Sequence, residues 1–423
     1  MSTRWGIVAS GQGANRIGFL YYAKYRNPAI DDRVLLLNTT PADVKPEKPL
    51  EKLFEADPEL REVYESIRKR RVCIFGRTPS GAGNNWTVGE REAMDDFHTI
   101  RRYIASLNLR PQDVLLGIAT LGGGTGNGSL PYIIHRMRTD PGVGMEKMNN
   151  FLALGILPYD FEAPQRHFNA VCGMSRLLRY AGRQNAALLI LVDNSQVERV
   201  LGLGGREDRY MRINSEIIRC IHMLIAPSIY TSSATIDIAD YYQLPSSLGI
   251  THFTPCMSWG NDPEVMGIEA MLESASANPL VPLDRGKATM AYVILAVPES
   301  AVLEGTLTQE MLEEEVRSWA ERHLAGGGGG LVRYASLVAV PEKRDVDVLI
   351  LLGGFSLRKL MEKLGDRYHK FRECLTPRDG AIEQGKVEEI ERELRRYIAE
   401  TERRIEALEE GTAELERWGF GDV

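Results

Sequence analysis

The chain has 423 residues, of which 43% are hydrophobic and 26% are charged, a balance that excludes a disordered or fibrous protein. Its formal net charge of -7 and its pI of about 5.7 argue against a uniformly basic surface, so direct contact with nucleic acid is not expected. The five cysteines lie far apart without a CxxC pair, which argues against a zinc site or a disulfide framework. No apolar stretch is long enough for a membrane span, and the first residues run directly into a strand pattern, so we expect a cytoplasmic protein.

The first half of the chain alternates short apolar runs with helix-length segments. Runs of this length, bounded by Gly, Pro, Asn or Asp, predict buried parallel strands. These runs cover residues 5–9, 34–37, 72–75, 114–119, 152–157 and 188–192. Helices are predicted over 58–71, 90–107, 130–138 and 162–180. The alternation predicts an α/β fold with a Rossmann-like, doubly wound parallel sheet.

The second half of the chain has a different pattern of apolar and polar residues. Apolar residues at helical spacing predict a long buried helix over 208–226. After it, a smaller α+β domain is predicted, with strands over 288–297, 331–340 and 346–352 and helices over 307–324 and 356–371.

The last segment, 381–417, is rich in Glu and Arg and carries a mainly apolar stripe. The stripe consists of Val387, Ile390, Leu394, Ile398, Thr401, Ile405, Leu408, Thr412 and Leu415. Its steps of three or four residues predict one helix, or a helical hairpin about Gly411. Two interpretations stay open: the helix packs on its own protein, or it is an exposed coiled-coil or partner-binding arm.

Two glycine-rich segments each follow a predicted strand and precede a helix, at 11–18 (GQGANRIG) and 122–128 (GGGTGNG). Glycine lets backbone amides approach an oxyanion, and the helix that follows points its positive end there. A dinucleotide-binding fingerprint is disfavoured because the second strand ends in residues 37–40 (LNTT), without an acidic ribose ligand. No Gly-Lys-Ser/Thr follows either loop, so amides and hydroxyls would hold the phosphates.

The second glycine loop resembles the signature loop of the tubulin and FtsZ superfamily of filament-forming GTPases. Other segments resemble that superfamily's loops in the same order along residues 5–371. The first glycine loop is similar to that of tubulin, and the segments 38–40, 80–85 and 192–195 resemble further loops of the superfamily. The segment 158–162, with Arg166, resembles the part that flanks the ribose. Tyr210 and Asn214 match an aromatic residue that stacks on guanine and an asparagine that hydrogen bonds to the edge of the base.

The resemblance implies a site for GTP or GDP with Mg²⁺. Its expected nucleotide-binding residues are Gly11, Gln12, Gly13, Asn15, Asn38, Gly81, Gly83, Asn84, Gly122, Gly123, Gly124, Thr125, Gly126, Asn127, Gly128, Glu162, Arg166, Asn194, Tyr210 and Asn214. Thr40 stands where FtsZ has an acidic residue, so the resemblance implies that Gln12 contacts the magnesium ion, as in tubulin. Four parts are expected: a GTP-binding domain (1–206), a core linking helix (207–228), a C-terminal activation domain (229–375) and a helical C-terminal extension (376–423).

The segment 235–240 (TIDIAD) resembles the superfamily's catalytic loop, in which carboxylates act on the nucleotide of the next subunit. The resemblance implies that Asp237 and Asp240 are catalytic and orient the attacking water. Thr235 replaces the usual asparagine of that loop.

The sequence and its resemblance to the superfamily lead to two alternative functional predictions. The first is a GTP-binding cytoskeletal protein that polymerises head to tail into protofilaments and is an assembly-dependent GTPase, so that its main partner is a second copy of itself. The alternative is a non-polymerising GTP-binding scaffold or regulator. In either case an adaptor that binds the C-terminal helix is a further expected partner.

Overall fold

The computed structural model describes residues 3–44, 51, 54–55, 57–77, 81–139, 150–204, 208–232, 243, 245–326, 330–375, 382 and 384–417. The chain divides into two compact units, Met1–His222 with Leu364–Glu393, and Met223–Lys363 with Leu394–Val423. The four-part division expected from the resemblance stays a prediction. Within the described ranges, no helix is long and apolar enough to cross a bilayer.

The first unit is built on a parallel sheet. Its strands are β1 (Trp5–Ser10), β2 (Val34–Asn38), β3 (Val72–Ile74), β4 (Val114–Thr120), β5 (Phe151–Leu157) and β8 (Leu188–Asp193), with β6 (Arg179–Tyr180) and β7 (Arg183–Gln184) forming a separate ribbon. The order in the sheet is β3-β2-β1-β4-β5-β8, and each neighbouring pair is parallel. β1, β2, β5 and β8 are buried along their whole length, as expected for strands covered on both faces. The predicted doubly wound α/β fold is confirmed.

Helices follow these strands, although no bounds were predicted for the first helix and the helix over 194–200 was not predicted. They are α1 (Gln12–Tyr25), α2 (Pro58–Arg70), α3 (Trp86–Asp95), α4 (Phe97–Ala105), α5 (Thr125–Thr139), α6 (Pro164–Leu178), α7 (Asn194–Val200) and α8 (Arg209–Ile229), the long helix that continues into the second unit. The single helix predicted over 90–107 is wrong: Asp96 has φ -122° and ψ 27°, outside the helical region, and separates α3 from α4.

The second unit has a mixed sheet in the order β10-β13-β11-β12-β9. Its strands are β9 (Thr231–Ser232), β10 (His252–Asn261), β11 (Met290–Pro298), β12 (Val332–Val340) and β13 (Val346–Gly353), and its helices include α9 (Ile268–Ser276), α10 (Glu299–Leu303) and α11 (Gln309–His323). β11 and β12 are parallel, while β13 is antiparallel to β10 and β11. The α+β character is confirmed, but β10 and α9 were not predicted. Pro255 and the polar residues around it hide the strand pattern of β10.

The Gln309 side chain pairs with strand β12 like a short piece of strand. Its amide nitrogen donates to the carbonyl of Ala335, and its amide oxygen accepts from the backbone of Leu337, each at 2.9 Å. Next along β12, Val338 and Ala339 pair with β9. The middle of β12 therefore has its hydrogen bonds satisfied on the side away from β11.

The chain ends in α12 (Arg358–Glu373) and the long helix α13 (Gln384–Arg417). α13 runs through Gly411 without a turn, so the hairpin alternative is wrong. In the first unit its apolar stripe buries Val387 and Ile390, and in the second it buries Leu394, Thr401 and Ile405. The predicted stripe is wrong at Ile398, which is only half-buried, while its neighbour Tyr397 is buried. Over residues 384–410, the interpretation that the helix packs on its own protein is therefore the one the structure supports.

The Tyr397 side chain of α13 belongs to a buried hydrogen-bond group in the second unit. Its hydroxyl accepts from the backbone of Thr251 at 2.9 Å and donates to Nδ1 of His252 at 2.8 Å. Nε2 of His252 donates to the carbonyl of Phe355 at 2.8 Å, which requires the hydrogen on Nε2. Burial lowers the pKa of His252 to about 4, so this imidazole is neutral.

Candidate nucleotide-binding site

A cavity of about 530 Å³ lies in the first unit, where the parallel strands end. Its lining includes Gly11 after β1, Thr40 after β2, Thr120 at the end of β4, Pro158 after β5 and Asn194 after β8. Ligands of open α/β sheets bind at the carboxyl ends of the strands, and this volume is typical of a cofactor site. The cavity is therefore the candidate functional site of the unit.

Most of the nucleotide-binding residues implied by the resemblance line this one cavity. They are Gly11, Gln12, Gly13, Gly81, Gly83, Asn84, Gly122, Gly123, Gly124, Thr125, Gly126, Glu162, Arg166, Asn194, Tyr210 and Asn214. Asn15, Asn38, Asn127 and Gly128 are not in the lining. The catalytic candidates Asp237 and Asp240 lie outside the described residues, as does Thr235.

The two glycine loops meet at the floor of the cavity. Gly11 has φ +84°, a backbone conformation that side chains disfavour, and α1 begins directly after it at Gln12. A Cβ on Gly126 would lie 2.1 Å from the carbonyl oxygen of Ser10, so only glycine allows the second loop to come this close. α5 begins at Thr125. Two helix N-termini, each with donor amides and a positive dipole end, thus belong to one cavity, which suits an anionic group.

Asn15 and Asn38 hold the loops in place. The Asn15 amide donates to the carbonyls of Ala9 and Leu37, at 2.6 and 3.2 Å, and its oxygen accepts from Asn38 at 2.9 Å. The Asn38 oxygen accepts from the backbone of Thr39 at 2.9 Å. Both side chains are buried and bonded within the protein, so in this structure they tie the ends of β1 and β2 together.

Helix α6 organises the cavity from another side. Its Asn169 amide donates to the carbonyl of Asn84 at 2.7 Å and to that of Gly122 at 3.1 Å, which joins two of the loops that line the cavity. The buried Asn127 amide in turn donates to the carbonyls of Leu121 and Asn169, at 2.8 and 2.7 Å. Asn169 was not predicted from the sequence. The one signal for it is its position, about one helical turn after Arg166 on a predicted helix.

An aromatic and arginine cluster lies at the Tyr210 end of the cavity. Tyr210 is 41% exposed, and Tyr159 meets its ring edge-on at a centroid distance of 5.2 Å. The Arg209 guanidinium lies 4.7 Å from the Phe161 ring centroid, 5.2 Å from that of Tyr159 and 5.5 Å from that of Tyr210. Burial raises the pKa of Tyr210. The Tyr210 ring is therefore held by Tyr159 and Arg209 and stays partly exposed, and Asn214 follows one helical turn further on.

Charged side chains of both signs line the cavity. Arg16 and Arg166 are the cations that the lining includes, and Asp43 and Glu162 are its carboxylates. Burial raises the pKa of Glu162, although Arg166, whose guanidinium lies 3.7 Å away, acts in the opposite direction. Asp43 was not predicted from the sequence; it follows β2 in a short 3-10 helix, Pro41–Val44. The arginines suit phosphate oxygens, and the carboxylates suit hydroxyls or a metal ion.

No protein-family model matches the chain. In sequence the chain is 24% identical over 400 residues to the tubulin-like protein CetZ4 of Haloferax volcanii, covering 87% of this chain and 90% of that protein. It is 26% identical over 164 residues to the cell division protein FtsZ of Aquifex aeolicus, covering 38% and 39% of the two chains. Its fold is similar to that of CetZ2 from Haloferax volcanii, solved as a GTPγS-bound protofilament, with a TM-score of 0.67 and 17% identity over 88% of this chain and 100% of that one. The predicted resemblance to the tubulin and FtsZ superfamily is confirmed: the chain is similar in sequence to CetZ and FtsZ proteins, and its fold is similar to that of CetZ.

Proposed function

We propose that this chain is a GTP-binding cytoskeletal protein. The observation that carries the proposal is the composition of the cavity lining, with two glycine loops and two helix N-termini together with the Tyr210 ring and the Asn214 amide. The first group suits a di- or triphosphate, and the second suits a flat base with a hydrogen-bonding edge. The GTPγS-bound state of CetZ2, a protein with the same fold, supports guanine as that base.

Magnesium would accompany the phosphates. Mg²⁺ prefers oxygen ligands, and the cavity lining includes the Gln12 amide and the Asp43 carboxylate, which fit that preference. When bound, the ion neutralises phosphate charge. Arg16 and Arg166 add positive charge from the protein itself, and the backbone amides of the glycine loops donate to the phosphate oxygens.

We further propose that copies of the chain stack head to tail into protofilaments and hydrolyse GTP where two subunits meet. The loop 235–240 of one subunit would provide Asp237 and Asp240 to the nucleotide of the next, where a carboxylate orients the attacking water. Because the site is complete only in the filament, turnover would depend on assembly. The protofilament form of CetZ2 supports this proposal.

A titration of GTPase activity against protein concentration tests the proposal, with right-angle light scattering recorded in the same cuvette. We expect a threshold concentration above which turnover per subunit and scattering rise together. Tight GTP binding without a threshold and without scattering would favour the non-polymerising scaffold instead. The burial of the apolar stripe of α13 gives that alternative no additional support, since over residues 384–410 most of the stripe is buried by the protein itself.

The Asp240→Ala variant tests the catalytic loop. Because this carboxylate would act on a neighbour's nucleotide, we expect the variant to bind GTP as the wild type does, to lose turnover and to form over-stable filaments. In mixed filaments a wild-type loop can still act on the GTP of a neighbouring variant subunit, so each wild-type subunit should still complete one active interface. Normal hydrolysis by filaments of Asp240→Ala would contradict the assignment.

A further inference from the structure

A buried charged cluster connects the start of the C-terminal helix to the first unit. We call its members, Glu90, Arg176, Tyr180 and Lys386, the Glu90 cluster. The side chains of Glu90 and Arg176 are only 2% and 3% exposed, and their charged atoms lie 2.6 Å apart. The Lys386 ammonium donates to the other Glu90 oxygen, and the Tyr180 hydroxyl donates to the first at 2.5 Å. Burial alone would raise the pKa of Glu90, but Arg176 and Lys386 outweigh it and lower that pKa, so the carboxylate is charged.

Arg176 also holds the helix that begins at the signature glycine loop. Its guanidinium donates to the carbonyls of Asn127 and Gly128, at 3.2 and 3.0 Å, in the first turn of α5. The helical partner of the Asn127 carbonyl would be the backbone amide of residue 131, but that residue is Pro131 and has no N–H. Arg176 therefore supplies a donor that the helix itself lacks. The residues directly before Asn127 and Gly128, 122–126, line the cavity.

Lys386 is the member of the cluster that belongs to the C-terminal helix. It lies in the first turn of α13, its side chain is 35% exposed, and its ammonium is 5.5 Å from the centroid of the Trp86 ring. The Ser175 hydroxyl, next to Arg176 on α6, donates to the Ile390 carbonyl at 3.0 Å. Residues 384–393 are thus hydrogen bonded to α6, the helix whose Arg176 contacts the end of the glycine loop 122–128.

We propose that Lys386 is a positioning residue for the nucleotide site: through Glu90 and Arg176, the first turns of the C-terminal helix hold the loop 122–128 in its phosphate-binding arrangement. Without Lys386, the buried Glu90 is balanced by Arg176 alone and draws the guanidinium away from the carbonyls of α5. A factor that releases residues 384–393 would therefore weaken phosphate binding. This inference rests on the proposed GTP-binding function.

The test compares full-length wild type with Lys386→Met, which keeps the apolar stem, with Lys386→Arg, which restores the charge, and with Arg392→Met as a control. Arg392 is an exposed cation of the same helix, so its removal has the same effect on net charge. Amide hydrogen exchange of residues 122–134 is measured without nucleotide, and dissociation constants are measured for GTP and GDP. For Lys386→Met we expect faster exchange and weaker binding, each by roughly 2- to 30-fold. Lys386→Arg should restore most of both, and Arg392→Met should match the wild type.

Equal exchange and equal affinities in Lys386→Met and Arg392→Met would overturn the inference. Failure of Lys386→Arg to restore either quantity would also overturn it, because the effect would then come from packing of the lysine stem and not from its charge. If no protein in the series binds GTP or GDP but exchange still increases in Lys386→Met, the proposed function fails while the positioning of the loop by Lys386 stands.

Discussion

The buried His252 makes the stability of the protein depend on pH in a defined window. Its pKa is about 4 in the folded protein, against an ordinary value of 6.5. As the pH falls below 6.5, the unfolded chain binds a proton at this position that the folded chain does not, so the free energy of unfolding decreases until about pH 4. Between pH 7 and pH 5 the linkage amounts to about 2 kcal/mol for this group.

The His252→Gln variant removes the titration while keeping a side chain that hydrogen bonds. We expect it to be less stable than the wild type at pH 7, because the Tyr397 hydroxyl and the Phe355 carbonyl lose well-placed partners. Its free energy of unfolding should then fall by about 2 kcal/mol less than that of the wild type between pH 7 and pH 5.

Urea unfolding followed by circular dichroism, at constant ionic strength and at pH 5, 6 and 7, measures this difference. His98→Gln provides the reference for losing a surface imidazole, since 81% of that side chain is exposed. If His252→Gln and the wild type lose the same free energy of unfolding between pH 7 and pH 5, the reasoning about the buried imidazole is refuted.

Three further predictions concern the cavity. Gly126→Ala places a Cβ 2.1 Å from the Ser10 carbonyl oxygen, so we expect a loss of about 1–3 kcal/mol in the free energy of unfolding and weakened GTP binding, as measured by thermal unfolding and by titration; wild-type values for both would contradict the close approach. Tyr210→Ala should weaken GTP binding on the order of 10-fold or more, while Tyr210→Phe, which keeps the ring, should bind nearly as the wild type does; equal affinities of the two variants would exclude stacking. Asn169→Ala leaves the carbonyls of Asn84 and Gly122 without this donor, so a stability loss of about 1–3 kcal/mol is expected, and an unchanged melting temperature would argue against its role in joining the loops.

The strands of the first unit could be predicted from the sequence because each is a short apolar run bounded by polar or turn residues. Strand β10 could not, since Pro255 interrupts it and its polar residues carry no alternating pattern. The break between α3 and α4 was also missed: apolar spacing continues through Asp96, and only its backbone conformation ends the first helix. Periodicity identifies which residues are buried, but it is insensitive to a single non-helical residue.

Most of the residues that the resemblance implied for nucleotide binding line one cavity, and their binding of a nucleotide stays a prediction. The glycine loops, Tyr210 and Asn214 were found because each lies in a local motif, whereas Asp43, Asn169 and Arg176 act through contacts with residues distant in sequence. Asn15 and Asn38 illustrate the reverse case. Their motif was recognised, but in the structure both side chains bond to each other and to the backbone and are not part of the lining. A motif therefore marks a loop beside the cavity without saying which of its side chains line that cavity.

The Gln309 side chain limits how another chain could add a strand to β12. An open strand edge invites other chains to extend the sheet, which is a common route to aggregation. Here the two hydrogen bonds that an incoming strand would need at Ala335 and Leu337 are already made by a glutamine amide, and the next positions pair with β9. Any strand that added itself at this point would first have to displace Gln309, so contacts between copies of the chain can form elsewhere without this edge recruiting them into a continuous sheet.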